Sequence, residues 1–130
     1  QAIQYCEPNA VELTDGKITL WGTGTPTRDL LYAGDAAKAV MQSVDLIDTI
    51  DGAEAVNLGS GVETSIRELI EVVQTTMGRD LQIEWDKSKP DGQRRRLLCT
   101  RKAKDLLGWQ SITSLEEGLR KTIPLELQHI

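Results

Sequence analysis

Three stretches of this chain carry side chains that can hold an anion. Arg28 directly follows the turn Gly22-Thr23-Gly24-Thr25-Pro26-Thr27, and a rigid bend can aim a guanidinium fork at two phosphoryl oxygens. Lys89 lies in Lys89-Pro90-Asp91-Gly92, where proline and glycine restrict the loop and can hold the ammonium inward. Arg94, Arg95 and Arg96 follow within reach, as secondary anion contacts. Trp21 and Trp85 each end a strand-like run, and their flat rings suit a base or a sugar. Each feature also has a plainer use. Arg28 can pair with Asp29 or Asp35, the triple arginine can be a solvated face, and each tryptophan can be core. Only their conjunction favours a phosphorylated ligand.

Other chemistries find little support. The dinucleotide fingerprint needs three glycines between a strand and a helix. Gly22 and Gly24 fit the first two, but Thr27 holds the third position and the apolar run after it reads as a strand. Without a helix N-terminus facing the turn, the main source of pyrophosphate affinity is missing. The single histidine, His129, sits beside the C-terminus, where side chains are rarely ordered enough to position a proton transfer. Cys6 and Cys99 lie far apart and form no metal knuckle or disulfide framework. They fit ordinary buried or half-buried thiols in a reducing cytoplasm. No catalytic set and no metal site is expected from these residues.

Charge sharpens the ligand class. The chain has 130 residues and a net charge of −5. Residues 87–104 nevertheless hold eight lysines and arginines against Asp91 alone. A basic patch on an acidic protein draws a small anion while the whole molecule repels polyanions. A small phosphorylated ligand suits this better than nucleic acid, and the basic run lacks interleaved aromatics. No apolar run is long enough to span a membrane.

The elements that must position these side chains read as one small α/β unit. Residues 3–13 are expected as a helix, disturbed by Pro8 and closed at Asp15-Gly16. Residues 17–21 (KITLW) are expected as a strand, 22–27 as a turn, and Arg28–Tyr32 as a second short strand. Asp35 stands where an N-cap belongs, before a helix over 36–50. Its apolar face would be Ala36, Ala37, Val40, Met41, Val44 and Ile47. Residues 53–61 give a short strand ending in Gly59-Ser60-Gly61. Ser65 and Glu68 make a capping box for a helix that Gly78 ends. A strand over 81–85 leads into the polar loop DKSKPDGQRRR. Thr100 is placed to cap a short helix ending at Gly108. Ser114 and Glu117 form a second capping box, for a helix that Pro124 should kink or stop.

The segments ITLWGTGTPTRDLLYAGDAAKAV, VNLGSGVETSIRELIEVV, WDKSKPDGQRRRLLCTRKAKDLLGW and TSLEEGLRKTI follow one another in this order. Together they resemble the C-terminal part of the extended short-chain dehydrogenase/reductases, the nucleotide-sugar epimerases, dehydratases and reductases. The similarity covers about residues 1–123. It implies an α/β fold of short strands with packed helices, a substrate-binding portion without the Rossmann domain. Residues 1–130 would then form a single partial domain. It implies a nucleotide-diphosphate sugar as ligand, with Arg28 on the diphosphate, Trp21 on the nucleoside side and Lys89 reaching the sugar nucleotide. The usual Tyr-Val-Asp-Asp segment falls at Tyr32 to Asp35, but Ala33-Gly34 replaces its middle pair. Arg94 stands where proline is common and Cys99 where aspartate is usual.

The same resemblance implies what is missing. Family chemistry uses NAD(P) on a Rossmann domain and a Tyr-x-x-x-Lys pair, in which the lysine lowers the tyrosine pKa for proton exchange. Asn9 and Ala36 stand four residues after Tyr5 and Tyr32. By itself the chain is therefore expected to bind no cofactor and to catalyse nothing by that route. Its expected partners are the Rossmann domain or, failing that, a second copy of itself.

Overall fold

The computed structural model describes residues 11–14, 17–49 and 54–126. Within them two three-stranded sheets are linked by paired connectors. Strands β1 (Val11–Thr14) and β2 (Lys17–Trp21) form an antiparallel pair, with Thr14 opposite Lys17. The residues between are Asp15-Gly16, a strong hairpin signal. The helix expected to reach residue 13 is therefore replaced, over Val11–Thr14, by a strand. Period-two alternation in Val-Glu-Leu-Thr and the hairpin dipeptide outweigh a weak helical pattern, and residues 3–10 lie outside the described residues. Strand β5 (Gln82–Asp86) joins the other edge of β2 in parallel, Trp21 facing Asp86.

The second sheet has β3 (Thr27–Asp29) at its centre, between β4 (Glu63–Ser65) and β6 (Arg95–Arg96). β3 pairs antiparallel with β4 and parallel with β6. The strand expected over Arg28–Tyr32 is thus shifted and shortened, because its two neighbours offer only three and two residues of ladder. The segment 54–60, expected as a strand, has no ladder partner among the described residues and runs irregularly.

Helix α1 (Ala33–Asp45) starts after Tyr32, whose side chain makes no cap hydrogen bond. Asp35 is not its N-cap. It lies inside the first turn, 1% exposed, and reaches across to the loop before the last helix. Helix α2 (Ile66–Met77) opens on the complete Ser65–Glu68 capping box and closes at Gly78, in the left-handed conformation at φ 61°. Helix α3 (Arg101–Leu107) ends the same way at Gly108, but Thr100 gives it no side-chain cap. Helix α4 (Leu115–Glu126) runs two residues past Pro124. A proline there removes one donor near the last turn, where few bonds remain to be lost. Only half of its expected capping box forms: Ser114 Oγ accepts from Glu117 N, while the Glu117 carboxylate turns to Lys121.

The core gathers Ala39, Ala103, Leu107 and Trp109, with Leu31, Leu46, Val56 and Leu58 packed around them. Ala39, not the expected apolar row, is the buried contact of α1. Val40, Met41, Val44 and Ile47 are all more than half exposed. Periodicity marks an apolar face but not what covers it.

Candidate functional site

The site is built where the two sheets hand over to each other. β2 leaves the first sheet through the turn 22–26 and enters the second as β3. β5 leaves beside it through the loop 87–94 and enters the second sheet as β6. Because β2 is parallel to β5 and β3 to β6, the two connectors run side by side. That is how residues some 65 positions apart in sequence come into contact. Backbone bonds pin both ends: Gly22 N donates to Asp86 O (2.9 Å) and Thr27 N to Arg94 O (3.0 Å).

Between those ends the connectors are clasped. Asp91 accepts from Thr23 N (2.5 Å), and from Thr23 Oγ1 at 3.0 and 2.9 Å. A Cβ on Gly22, at φ 86°, would collide with the Asp91 carboxylate. A Cβ on Gly24, at φ 72°, would come within 2.5 Å of the Trp85 ring. Glycine is thus required twice, by a left-handed backbone and by close approach of a side chain. The turn is filled by Asp91 and Trp85, so no cradle is left for a pyrophosphate, and a strand rather than a helix follows it. These residues do not fit a dinucleotide cofactor.

Helix α2 braces the turn from the other side. Arg67 donates from Nη2 to Thr23 O (2.8 Å) and from its backbone N to Gly24 O (2.9 Å). Its guanidinium lies 4.8 Å from the centroid of the Trp85 ring. Trp85 is therefore a brace held between Gly24 and Arg67, not the open platform its position at a strand end suggests. Trp21 is different. The Lys89 ammonium stands 4.9 Å from its ring centroid, so two of the expected site residues meet in a cation–π pair.

Arg28 pairs with neither acid considered for it. Asp29 accepts from Ser60 N and Oγ, Gly61 N and Leu98 N. Burial pushes the Asp29 pKa up, but those donors outweigh it and hold the group below its ordinary value. The Gly59-Ser60-Gly61 turn thus serves Asp29. Asp35 accepts from Ser111 Oγ (3.2 Å), Ile112 N (3.0 Å) and Thr113 N (2.8 Å). Arg28 instead uses Nη1 on two backbone carbonyls, Thr27 O (2.7 Å) and Gln93 O (2.8 Å). Among the described residues no acceptor meets its Nε or Nη2. One nitrogen fixes the side chain, and the edge suited to a bidentate oxyanion stays unpaired.

The arginine run divides three ways. Arg95 lies against Glu63, its Nε 3.0 Å from both carboxylate oxygens and its Nη2 2.9 Å from Oε2. Hydrogen bonds from Arg95 and Thr27 hold the Glu63 pKa down. Arg96 stands in register with Arg28 and donates from Nε (3.1 Å) and Nη2 (2.9 Å) to Gln93 Oε1. Arg94 contributes its carbonyl to the β3 ladder, and its side chain is exposed without a partner among the described residues. Spacing does not separate these three. It also leaves Thr23, Arg67, Asp91 and Gln93 unmarked, because their partners lie 44 to 68 positions away in sequence.

Set against known proteins, residues 8–122 match the profile of GDP-mannose 4,6 dehydratase. The chain belongs to that family. GDP-L-fucose synthase 1 of Arabidopsis thaliana is 40% identical to this family member over 114 residues, covering 88% of this chain and 34% of that protein. UDP-glucose 4-epimerase of Thermotoga maritima, solved with UDP-glucose, superposes with a TM-score of 0.73 at 27% identity. The match covers 87% of this chain and 35% of that one. dTDP-glucose 4,6-dehydratase of Bacillus anthracis, solved with NAD, gives a TM-score of 0.71 at 25% identity, over 86% of this chain and 35% of that one. The extended short-chain dehydrogenase/reductase resemblance therefore holds for both sequence and fold. The chain spans about a third of the length of the curated relatives it matches.

One detail differs from expectation. Cys99 is exposed rather than buried or half-buried; Cys6, Tyr5 and His129 lie outside the described residues. No helix among the described residues is long and apolar enough to cross a membrane.

Proposed function

We propose that this chain is the nucleotide-sugar-binding C-terminal portion of an NAD(P)-dependent sugar-nucleotide epimerase/reductase of the GDP-L-fucose synthase kind, working in the cytoplasm. Arg28 clamps the diphosphate, Trp21 lines the nucleoside side, and Lys89 reaches the sugar nucleotide from the loop beside it. The observation that carries this reading is the posture of Arg28, anchored through Nη1 on two carbonyls while Nε and Nη2 stay unpaired. A guanidinium fixed in this way loses little rotamer freedom when it grips an oxyanion.

The chain's own residues bind and orient; its sequence carries no Tyr-x-x-x-Lys pair. NAD(P), bound on the remaining two-thirds of such an enzyme, would supply the hydride chemistry. The filled turn at 22–26 supports the inference that this chain binds no cofactor alone. Its partners are then the nucleotide sugar and a Rossmann domain, rather than nucleic acid or a membrane.

Calorimetry with GDP tests the ligand. Binding that Arg28→Ala weakens roughly 10- to 100-fold, the loss of a charged hydrogen-bond pair, supports the clamp; equal binding by both proteins removes it. Incubating the chain with NADPH and GDP-4-keto-6-deoxymannose tests the division of labour, since measurable turnover contradicts it.

A second reading has its own observation. The exposed residues Val40, Met41 and Val44 on α1, with Ile47 just past its end, suit a non-catalytic binding or oligomerisation module derived from this fold. A tight oligomer by sedimentation, with no affinity for GDP, UDP or their sugars, favours that reading over the first.

A further inference from the structure

Two arginines share one face of the second sheet. Arg28 on β3 and Arg96 on β6 are register partners in a parallel pair, so their side chains leave the sheet on the same side. Both also contact Gln93, in different ways. Its backbone carbonyl anchors Arg28 Nη1, leaving that arginine's Nε–Nη2 edge unpaired. Its side-chain oxygen sits in the Nε–Nη2 fork of Arg96. One arginine is presented and its neighbour is plugged.

The chemistry of the plug matters. Arg95 is held by a carboxylate, donating three bonds of 2.9–3.0 Å to Glu63, so an incoming anion would have to displace one charge with another. Arg96 is held by a neutral amide oxygen on an exposed side chain. The guanidinium charge assists either bond, but a phosphoryl oxygen brings its own negative charge to the pair, where the amide oxygen offers only a dipole. Exchange therefore favours the anion at Arg96 and not at Arg95.

We propose that Arg96 is the second arm of the anion clamp and that the Gln93 side chain is its displaceable plug, so Gln93 sets how tightly a diphosphate is held. This rests on the reading of Arg28 as the diphosphate contact. Removing the plug frees the second fork without an exchange. Gln93→Ala should therefore tighten binding by about tenfold, the low end of what hydrogen bonding to a charged group is worth. A charged plug should do the reverse, so Gln93→Glu should weaken binding by at least as much. Both substitutions leave the backbone carbonyl that anchors Arg28.

Calorimetric titration of the full chain with GDP, and with inorganic pyrophosphate as the minimal probe, decides the matter. The set is the parent chain, Arg28→Ala, Gln93→Ala, Gln93→Glu, and Gln93→Ala combined with Arg96→Ala. The expected pattern is loss with Arg28→Ala, gain with Gln93→Ala, loss with Gln93→Glu, and a gain erased in the double variant. If Arg28→Ala weakens binding but Gln93→Ala leaves it unchanged or weaker, the plug is overturned while the clamp stands. A gain that persists without Arg96 also overturns it. If the parent chain binds neither probe, or Arg28→Ala changes nothing, the clamp fails and the plug fails with it.

Discussion

At the scale of single residues, what matters is which donors are satisfied within the fold and which are left over. Arg28 keeps an unpaired edge because Asp29 and Asp35 are each taken up elsewhere, one by Ser60, Gly61 and Leu98, the other by residues 111–113. Asp91 acts one step back, as a positioning residue. It ties the turn to the loop through Thr23 and so keeps Lys89 over Trp21. Asp91→Ala is expected to leave the fold intact and weaken GDP binding several-fold, with Arg67→Ala acting in the same direction through Thr23 O. Side-chain order at Lys89, read from the effect of GDP on Trp21 fluorescence, checks this. Sequence shows Arg28, Trp21 and Lys89 as candidates because turn chemistry and residue type are local. It hides Asp91, Arg67 and Gln93 because their partners are 44 to 68 positions away.

At the scale of elements, α2 is the best-specified piece and β3 the least. The capping box and left-handed Gly78 delimit α2 within a residue of where spacing puts it. Ser65→Ala should lower stability by about 1 kcal/mol and loosen the brace on the turn, which a denaturant midpoint measures. The strands are harder to read. Thr27–Asp29 and Arg95–Arg96 are strands only because they meet one another and Glu63–Ser65, a pairing no local pattern announces. The apolar row on α1 was legible as a face, but α1 buries Ala39 instead. Hydrophobic spacing records that a surface wants a neighbour, not which element supplies it.

At the scale of the molecule, Asp35 joins the start of α1 to the loop that leads into α4. Burial raises its pKa, but the bonds from Thr113, Ile112 and Ser111 outweigh that and leave it lowered. A carboxylate with a lowered folded-state pKa adds stability above its unfolded pKa of about 4, and that contribution is lost as pH falls through the folded value. Asp29 behaves alike. The chain should therefore be most stable above about pH 5 and lose stability on acidification below about pH 4. Asp35→Ala should cost about 2 kcal/mol at neutral pH, because two part-buried N–H groups, of Ile112 and Thr113, lose a charged acceptor. It should also flatten the acid limb of a melting-temperature profile. Trp109, whose Nε1 donates to Asp35 O, would report the change.

The clamp itself is most directly tested by nitrogen-15 NMR of the arginine Nε–H groups during titration with GDP and, separately, with guanosine and GMP. The expected result is a saturable shift of the Arg28 Nε–H signal with GDP, weaker with GMP and absent with guanosine. An Arg28 signal that stays in place while other residues respond to GDP, or that responds equally to guanosine, would contradict the account.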